Sequence, residues 1–133
     1  MILGVAGRPV LHSLSPAIFR ELFRLTGLKT EGPAAEASYL RVAAGSAAEV
    51  LSLFRALGMR GMNLTSPFKE EAATLVDELR EEARELGAVN CLAPVDGGRV
   101  MGANTDPSGV LYGIRRLGID IGGRDCLVIG SGG

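Results

Sequence analysis

Of the 14 basic residues in this 133-residue chain only Lys29 and Lys69 are lysines, so arginine is its usual cation and a lysine calls for a separate reason. Lys69 follows Ser66-Pro67 closely, in what reads as the first turn of a helix, where the helix dipole disfavours a cation by about 0.3–1 kcal/mol. A lysine kept there for chemistry needs a partner. Asp106, at the start of a later expected helix, is the natural candidate, and the two could form an acid-base pair. The helix terminus favours the neutral amine and a nearby carboxylate favours the ammonium, so the sequence leaves the net balance open. The alternatives without function are an exposed surface lysine and an aspartate that only caps its helix.

Other polar side chains are few enough to single out. There is no glutamine, and Asn63, Asn90 and Asn104 are the only asparagines. The hydroxyls of Ser13, Ser15 and Thr65 could add directional hydrogen bonds. His12, the only histidine, reads as a loop or packing residue rather than a base. Cys91 and Cys126 are far apart, each in an apolar run without a ligand pattern, and are expected to be small buried thiols with no disulfide and no metal.

These residues need elements to hold them. Residues 2–6 read as a short apolar strand, and apolar residues repeat at helical spacing over 15–26 before Gly27. A strand is expected at 37–42, a helix at 46–57 with Val50, Leu51, Leu53, Phe54 and Leu57 on its buried side, and a strand at 59–64. A helical region with one break is expected from Ser66 to about Leu86, and the charges of Glu78, Arg80, Glu81, Glu82, Arg84 and Glu85 read as its solvated face. Asp96-Gly97-Gly98 separates apolar stretches at 88–95 and 99–103, the pattern of an antiparallel hairpin. Residues 106–117 read as helix and 125–129 as a last strand. This alternation means α/β class, a mostly parallel sheet with one antiparallel excursion.

Ser15-Pro16, Ser66-Pro67 and Asp106-Pro107 each pair an N-cap residue type with a proline suited to the first helical position, and each closely follows an expected strand. In a parallel sheet such helix starts gather at the carboxyl edge of the strands, where open α/β sheets bind ligands. Unpaired N–H groups and partial positive charge there suit a carboxylate or phosphate.

Composition narrows the partners. With 47% hydrophobic residues, 22% charged and a net charge of -1, the chain reads as an ordinary globular protein with no basic stripe for nucleic acid. Its first apolar run is too short for a membrane span or secretory signal, so no membrane association and a cytoplasmic location are expected.

Four ordered motifs, GRPVLHSLSP at 7–16, GMNLTSPFK at 61–69, GAVNC at 87–91 and GANTD at 102–106, resemble those of the shikimate dehydrogenase family. Each alone is weak; their order and spacing together are specific. The resemblance implies a three-layer α/β/α fold, an open mostly parallel sheet with one antiparallel strand, of the amino-acid-dehydrogenase-like N-terminal type. It implies the NADPH-dependent, reversible reduction of 3-dehydroshikimate to shikimate in aromatic amino acid biosynthesis. By motif position, Ser13, Ser15 and Thr65 would hold the substrate carboxylate with Asn63 nearby. Lys69, Asn90 and Asp106 would hold the ring hydroxyls and the reacting oxygen, Lys69 and Asp106 being the catalytic pair. Phe19 stands where the family often has histidine, and Cys91 where threonine is common.

The run CLVIGSGG at 126–133 resembles the first strand and glycine turn of a Rossmann domain, which assigns Gly130, Ser131, Gly132 and Gly133 to NADP. The expected division is a substrate-binding domain at 1–104, a connecting helix and linker at 105–124, and the opening of a truncated NADP-binding domain at 125–133. A chain ending there should not turn over by itself. A quinate/shikimate dehydrogenase and a non-catalytic small-molecule-binding module of the same fold are the rival readings. A homodimer is one assembly open to it.

Overall fold

The structure is a computed structural model that describes residues 1–30, 32 and 36–129. Six strands form one sheet: β1 (Ile2–Ala6), β2 (Ser38–Val42), β3 (Gly61–Leu64), β4 (Glu78–Leu79), β5 (Cys91–Pro94) and β6 (Val100–Ala103). The helices are α1 (Ser15–Leu25), α2 (Ala47–Ala56), α3 (Lys69–Ala73), α4 (Glu81–Leu86) and α5 (Asp106–Arg116). Among the described residues no helix is long and apolar enough to cross a membrane.

The strand order is β2-β1-β3-β5-β6-β4. β1 runs parallel to both β2 and β3, and β4 runs parallel to β6. β5 alone is reversed, antiparallel to β3 on one side and β6 on the other. The expected class therefore holds: a mostly parallel sheet with one antiparallel strand, flanked by helices. The reversal comes from the tight turn at Asp96–Gly98, where Gly97 and Gly98 adopt φ of 74° and 75°, a region that glycine enters without steric cost.

Register assigns the two faces. Val5 lies beside Arg41 and Asn63, and Leu3 beside Tyr39, so these side chains share one face. Ala6, Met62 and Leu64 point to the other, where they pack with Val50, Leu51 and Phe54 of α2 and with Phe68 and Ala72 in a single buried cluster. In α2, Ala47, Val50, Leu51 and Phe54 recur at helical spacing and are all buried. Each large side chain in that cluster contributes about 1.5–3 kcal/mol by leaving water. The first face carries α1, whose single buried residue is Phe23.

Three sequence expectations change here. The one break expected between Ser66 and Leu86 is a strand, β4. Asp77 explains this, because its carboxylate accepts from Val100 N at 2.7 Å and from Arg55 at 2.8 Å, drawing the chain onto the free edge of β6. Residues 125–129 form no strand; a strand exists only by pairing, and none of the described strands lies alongside. Leu127, Val128 and Ile129 are accordingly exposed. Neither cysteine is fully buried: Cys91 is half-buried on β5 and Cys126 is exposed.

Candidate functional site

The reversed strand explains how distant residues meet. The carboxyl ends of β1, β3 and β6 lead into the segments carrying Ser13 and Ser15, Thr65 and Lys69, and Asp106. Because β5 runs the other way, its amino end lies at that same edge, and Asn90 immediately precedes it. Main-chain bonds fix that position: Leu64 N donates to Asn90 O at 2.8 Å and Asn90 N donates to Ala103 O at 3.0 Å. Val89 N also donates to Lys69 O at 2.8 Å, tying the start of α3 to the same strand.

A cavity of about 390 Å³ opens at this edge, and all seven candidates line it: Ser13, Ser15, Asn63, Thr65, Lys69, Asn90 and Asp106. Phe19 and the exposed His12 line it as well. Close packing of two loops shapes its floor. Thr65 N donates to Ala6 O at 2.9 Å and Arg8 N to Ser66 O at 3.0 Å. A Cβ on Gly7 would run into Thr65 Cγ2, so only glycine lets the loops approach this closely.

Lys69 Nζ donates to Asp106 Oδ2 at 2.8 Å, with Lys69 mostly covered and Asp106 open to the cleft. The other carboxylate oxygen accepts from Asn90 Nδ2 at 2.6 Å. Asn90 is buried, and its own Oδ1 accepts from Thr105 N at 3.0 Å, which sets the amide so that its donor end meets Asp106. Partial burial pushes the Asp106 carboxyl upward, but the bonds from Lys69 and Asn90 and the lysine charge outweigh it and hold it below the ordinary carboxylate range. The result is a carboxylate that stays ionised beside an ammonium, at the mouth of a polar cleft.

Two of the three expected helix starts hold, but with other flanking residues than expected, and one does not. α1 begins at Ser15 and α5 at Asp106, and Leu14 and Thr105 are the flanking residues, neither with a side-chain cap. Ser13 Oγ accepts from Ser15 N at 3.3 Å, and Asn104 Oδ1 accepts from Asp106 N at 3.0 Å. No backbone N–H among the described residues donates to Ser15 Oγ or to the Asp106 carboxylate, and both residues line the cavity. Ser66-Pro67 does not open a helix: Phe68 N donates to Thr65 O at 3.1 Å, closing a turn, and α3 starts only at Lys69. Phe68, nearly fully buried, anchors that turn in the core.

Several neighbours of the site are not legible as such from the sequence. Tyr39 Oη donates to Asn63 Oδ1 at 2.7 Å, and its ring stacks on Phe19 with centroids 4.2 Å apart. Arg41 Nη2 donates to Ser13 O at 2.8 Å and holds the loop before α1. A shared sheet face links Tyr39, Arg41 and Asn63, a signal that needs strand order as well as spacing. Asn104, conspicuous in the sequence only for its rarity, is buried and faces backbone, its Nδ2 donating to Ala88 O at 2.9 Å. Burial pushes the Cys91 thiol up, which keeps it protonated. Gly130, Ser131, Gly132 and Gly133, expected at the cofactor, lie outside the described residues.

Comparison with known proteins follows the same motifs. A family model described as the shikimate dehydrogenase substrate binding domain matches residues 5–92. A protein named shikimate dehydrogenase (NADP(+)) from Rubrobacter xylanophilus is 41% identical over 99% of this chain, which spans 45% of that relative's length. The crystal structure of shikimate 5-dehydrogenase from Thermus thermophilus in complex with NADP(H) and shikimate superposes with a TM-score of 0.78 at 36% identity, covering 91% of this chain and 44% of that one. The structure of shikimate 5-dehydrogenase from Listeria monocytogenes in complex with shikimate and NAD gives a TM-score of 0.77 at 31% identity, covering 90% and 39%.

Proposed function

The chain belongs to the family of shikimate dehydrogenase substrate binding domains, and from that premise we propose that it forms the substrate-holding part of an NADP-dependent shikimate dehydrogenase. The observation that carries this reading is the Lys69–Asp106 pair, 2.8 Å apart in a cleft that also holds Asn90, Asn63 and three hydroxyl residues. In this reading residues 1–104 bind the substrate, 105–124 connect, and 125–133 open the cofactor domain.

Ser13, Ser15 and Thr65 present hydroxyl donors to the substrate carboxylate, with Asn63 beside them and the start of α1 adding its positive end. Asn90, Lys69 and Asp106 take the ring hydroxyls and the reacting oxygen. NADP, when bound, supplies the hydride, and the residues proposed to begin its site are Gly130 to Gly133. Negative charge then grows on the carbonyl oxygen as its C=O bond opens, and the ammonium of Lys69 stabilises that oxygen and stands within reach to give it a proton. Asp106 orients the ammonium and shares in returning the proton; the two act as a unit. In the reverse direction the same pair removes the hydroxyl proton while hydride leaves the carbon.

The test is shikimate-dependent reduction of NADP by the protein that carries this chain, with quinate and NAD run alongside as kcat/KM comparisons. Turnover of shikimate with NADP above all other combinations is the expected result. Tight shikimate binding with no cofactor-dependent turnover would instead make this a binding module.

A further inference from the structure

We infer that Tyr39, held by the ring of Phe19, is a positioning residue that turns the amide of Asn63 so that its N–H donors face the substrate carboxylate. The inference rests on the reading of this cleft as a shikimate site and adds to it the group that decides which end of one amide the ligand meets.

An asparagine amide has an acceptor end and a donor end, and rotating it by half a turn exchanges them. The two ends have opposite consequences for an anionic ligand, because Nδ2 would donate to a carboxylate and Oδ1 would repel it. Asn63 alone does not choose between them. The phenol of Tyr39 does: its O–H donates to Asn63 Oδ1 at 2.7 Å, which occupies the acceptor end. Nδ2 has no hydrogen-bond partner among the described residues, and no buried side-chain polar atom among them lacks one, so Nδ2 is not sealed from solvent. The space beside Asn63 is the cleft that Ser13, Ser15 and Lys69 also line.

For this to work the phenol must stay a donor and stay in place. Burial raises its pKa, and interaction with Ser15 only partly offsets that, so the hydroxyl keeps its proton at neutral pH. Ser13 Oγ in turn donates to Ser15 Oγ at 3.2 Å, so the hydroxyls and the amide sit in one ordered cluster. Its place is set by Phe19, whose ring lies 4.2 Å from the Tyr39 ring at an interplanar angle of 19° and is backed by Phe23 at 5.9 Å. Phe19 and Phe23 are one helical turn apart on α1, and Tyr39 and Asn63 stand on β2 and β3 across β1. The helix and the sheet thus fix the phenol from two sides.

Tyr39→Phe deletes the donor and keeps the ring. In the protein that carries this chain, shikimate affinity should fall about tenfold, the loss of one well-placed hydrogen bond to a charged group. Binding of the methyl ester of shikimate, which lacks the anionic charge, should change little, and the unfolding midpoint should stay near that of the wild type. Phe19→Ala should weaken shikimate in the same way, Phe19→Tyr should restore it by restoring the ring, and the Phe19→Ala/Tyr39→Phe double variant should bind no worse than Tyr39→Phe. Equal shikimate affinity in wild type and Tyr39→Phe would overturn the inference and leave the functional reading intact. A wild type without shikimate binding would overturn both. Should Tyr39→Phe not fold, the Phe19 pair decides: recovery in Phe19→Tyr supports the role, and equal loss in both variants overturns it.

Discussion

The starts of α2 and α5 are built from similar residue types and spend them differently. At α2, Ser46 Oγ accepts from Glu49 N at 3.2 Å while the Glu49 carboxylate accepts from Gly45 N at 2.7 Å, so both side chains serve the helix's own backbone. At α5, Asn104 takes the bond from Asp106 N, and the Asp106 carboxylate reaches across to Lys69 and Asn90. One start is self-contained and the other is left open toward the cleft. The difference teaches that a capping residue type marks where a helix begins, whereas the groups the fold brings opposite it decide whether its side chain serves the helix or the cleft.

The strongest way to break this contrast is to remove the partner that Asp106 reaches. Lys69→Ala should lower kcat in shikimate oxidation by about 10²–10⁴-fold, the range for a lost general acid-base group. Asp106→Asn should fall in the same range, and the double variant should be little worse than either single one. Near-normal turnover of Lys69→Ala would remove the pair from the mechanism.

Asn104→Ala attacks the support instead. It takes the side-chain donor from the part-buried carbonyl of Ala88, so the unfolding free energy should drop by about 0.5–1.5 kcal/mol. Turnover should fall with it, because the bond from Asp106 N that fixes the start of α5 is lost; unchanged turnover would show that Asn104 only braces the fold. Ser46→Ala makes the matched control at α2. It should cost about 1 kcal/mol in denaturant unfolding and leave shikimate affinity where it was.

The smallest effect is with pH. The folded Asp106 carboxyl titrates below its ordinary value, so the pair contributes stability above the unfolded aspartate pKa of about 3.9 and loses it as pH falls through the lower folded value. The stability difference between wild type and Asp106→Asn should therefore be constant from pH 7 down to about pH 5 and shrink as the medium becomes more acid. Denaturant titrations across that range would show it; a difference that grows with acid would mean that the folded carboxyl titrates above its ordinary value instead.

Much of this molecule can be read in one dimension. The buried face of α2 is visible because Val50, Leu51 and Phe54 recur at helical spacing, and the hairpin is visible because Gly97 and Gly98 accept φ near 75°. The seven candidate residues follow from motifs, and all line one cleft. Less legible is the stretch after Ser66, where Thr65 and Phe68 close a turn and Asp77 pulls the chain into β4, because both depend on partners remote in sequence.

By itself the sequence determined the alternation of strand and helix, the tight turn that reverses β5, and the residue types gathered at helix starts, since each follows from spacing or from a local steric preference. Only the tertiary structure decided where those side chains point. Asp106 faces Lys69, 37 residues away, because β3 and β6 end at the same edge of the sheet, and Asn63 offers its N–H groups because Tyr39, 24 residues away, takes its oxygen. Periodicity is a property of neighbours along the chain, but the direction of a hydrogen bond is chosen by whichever group the fold brings within about 3 Å of it.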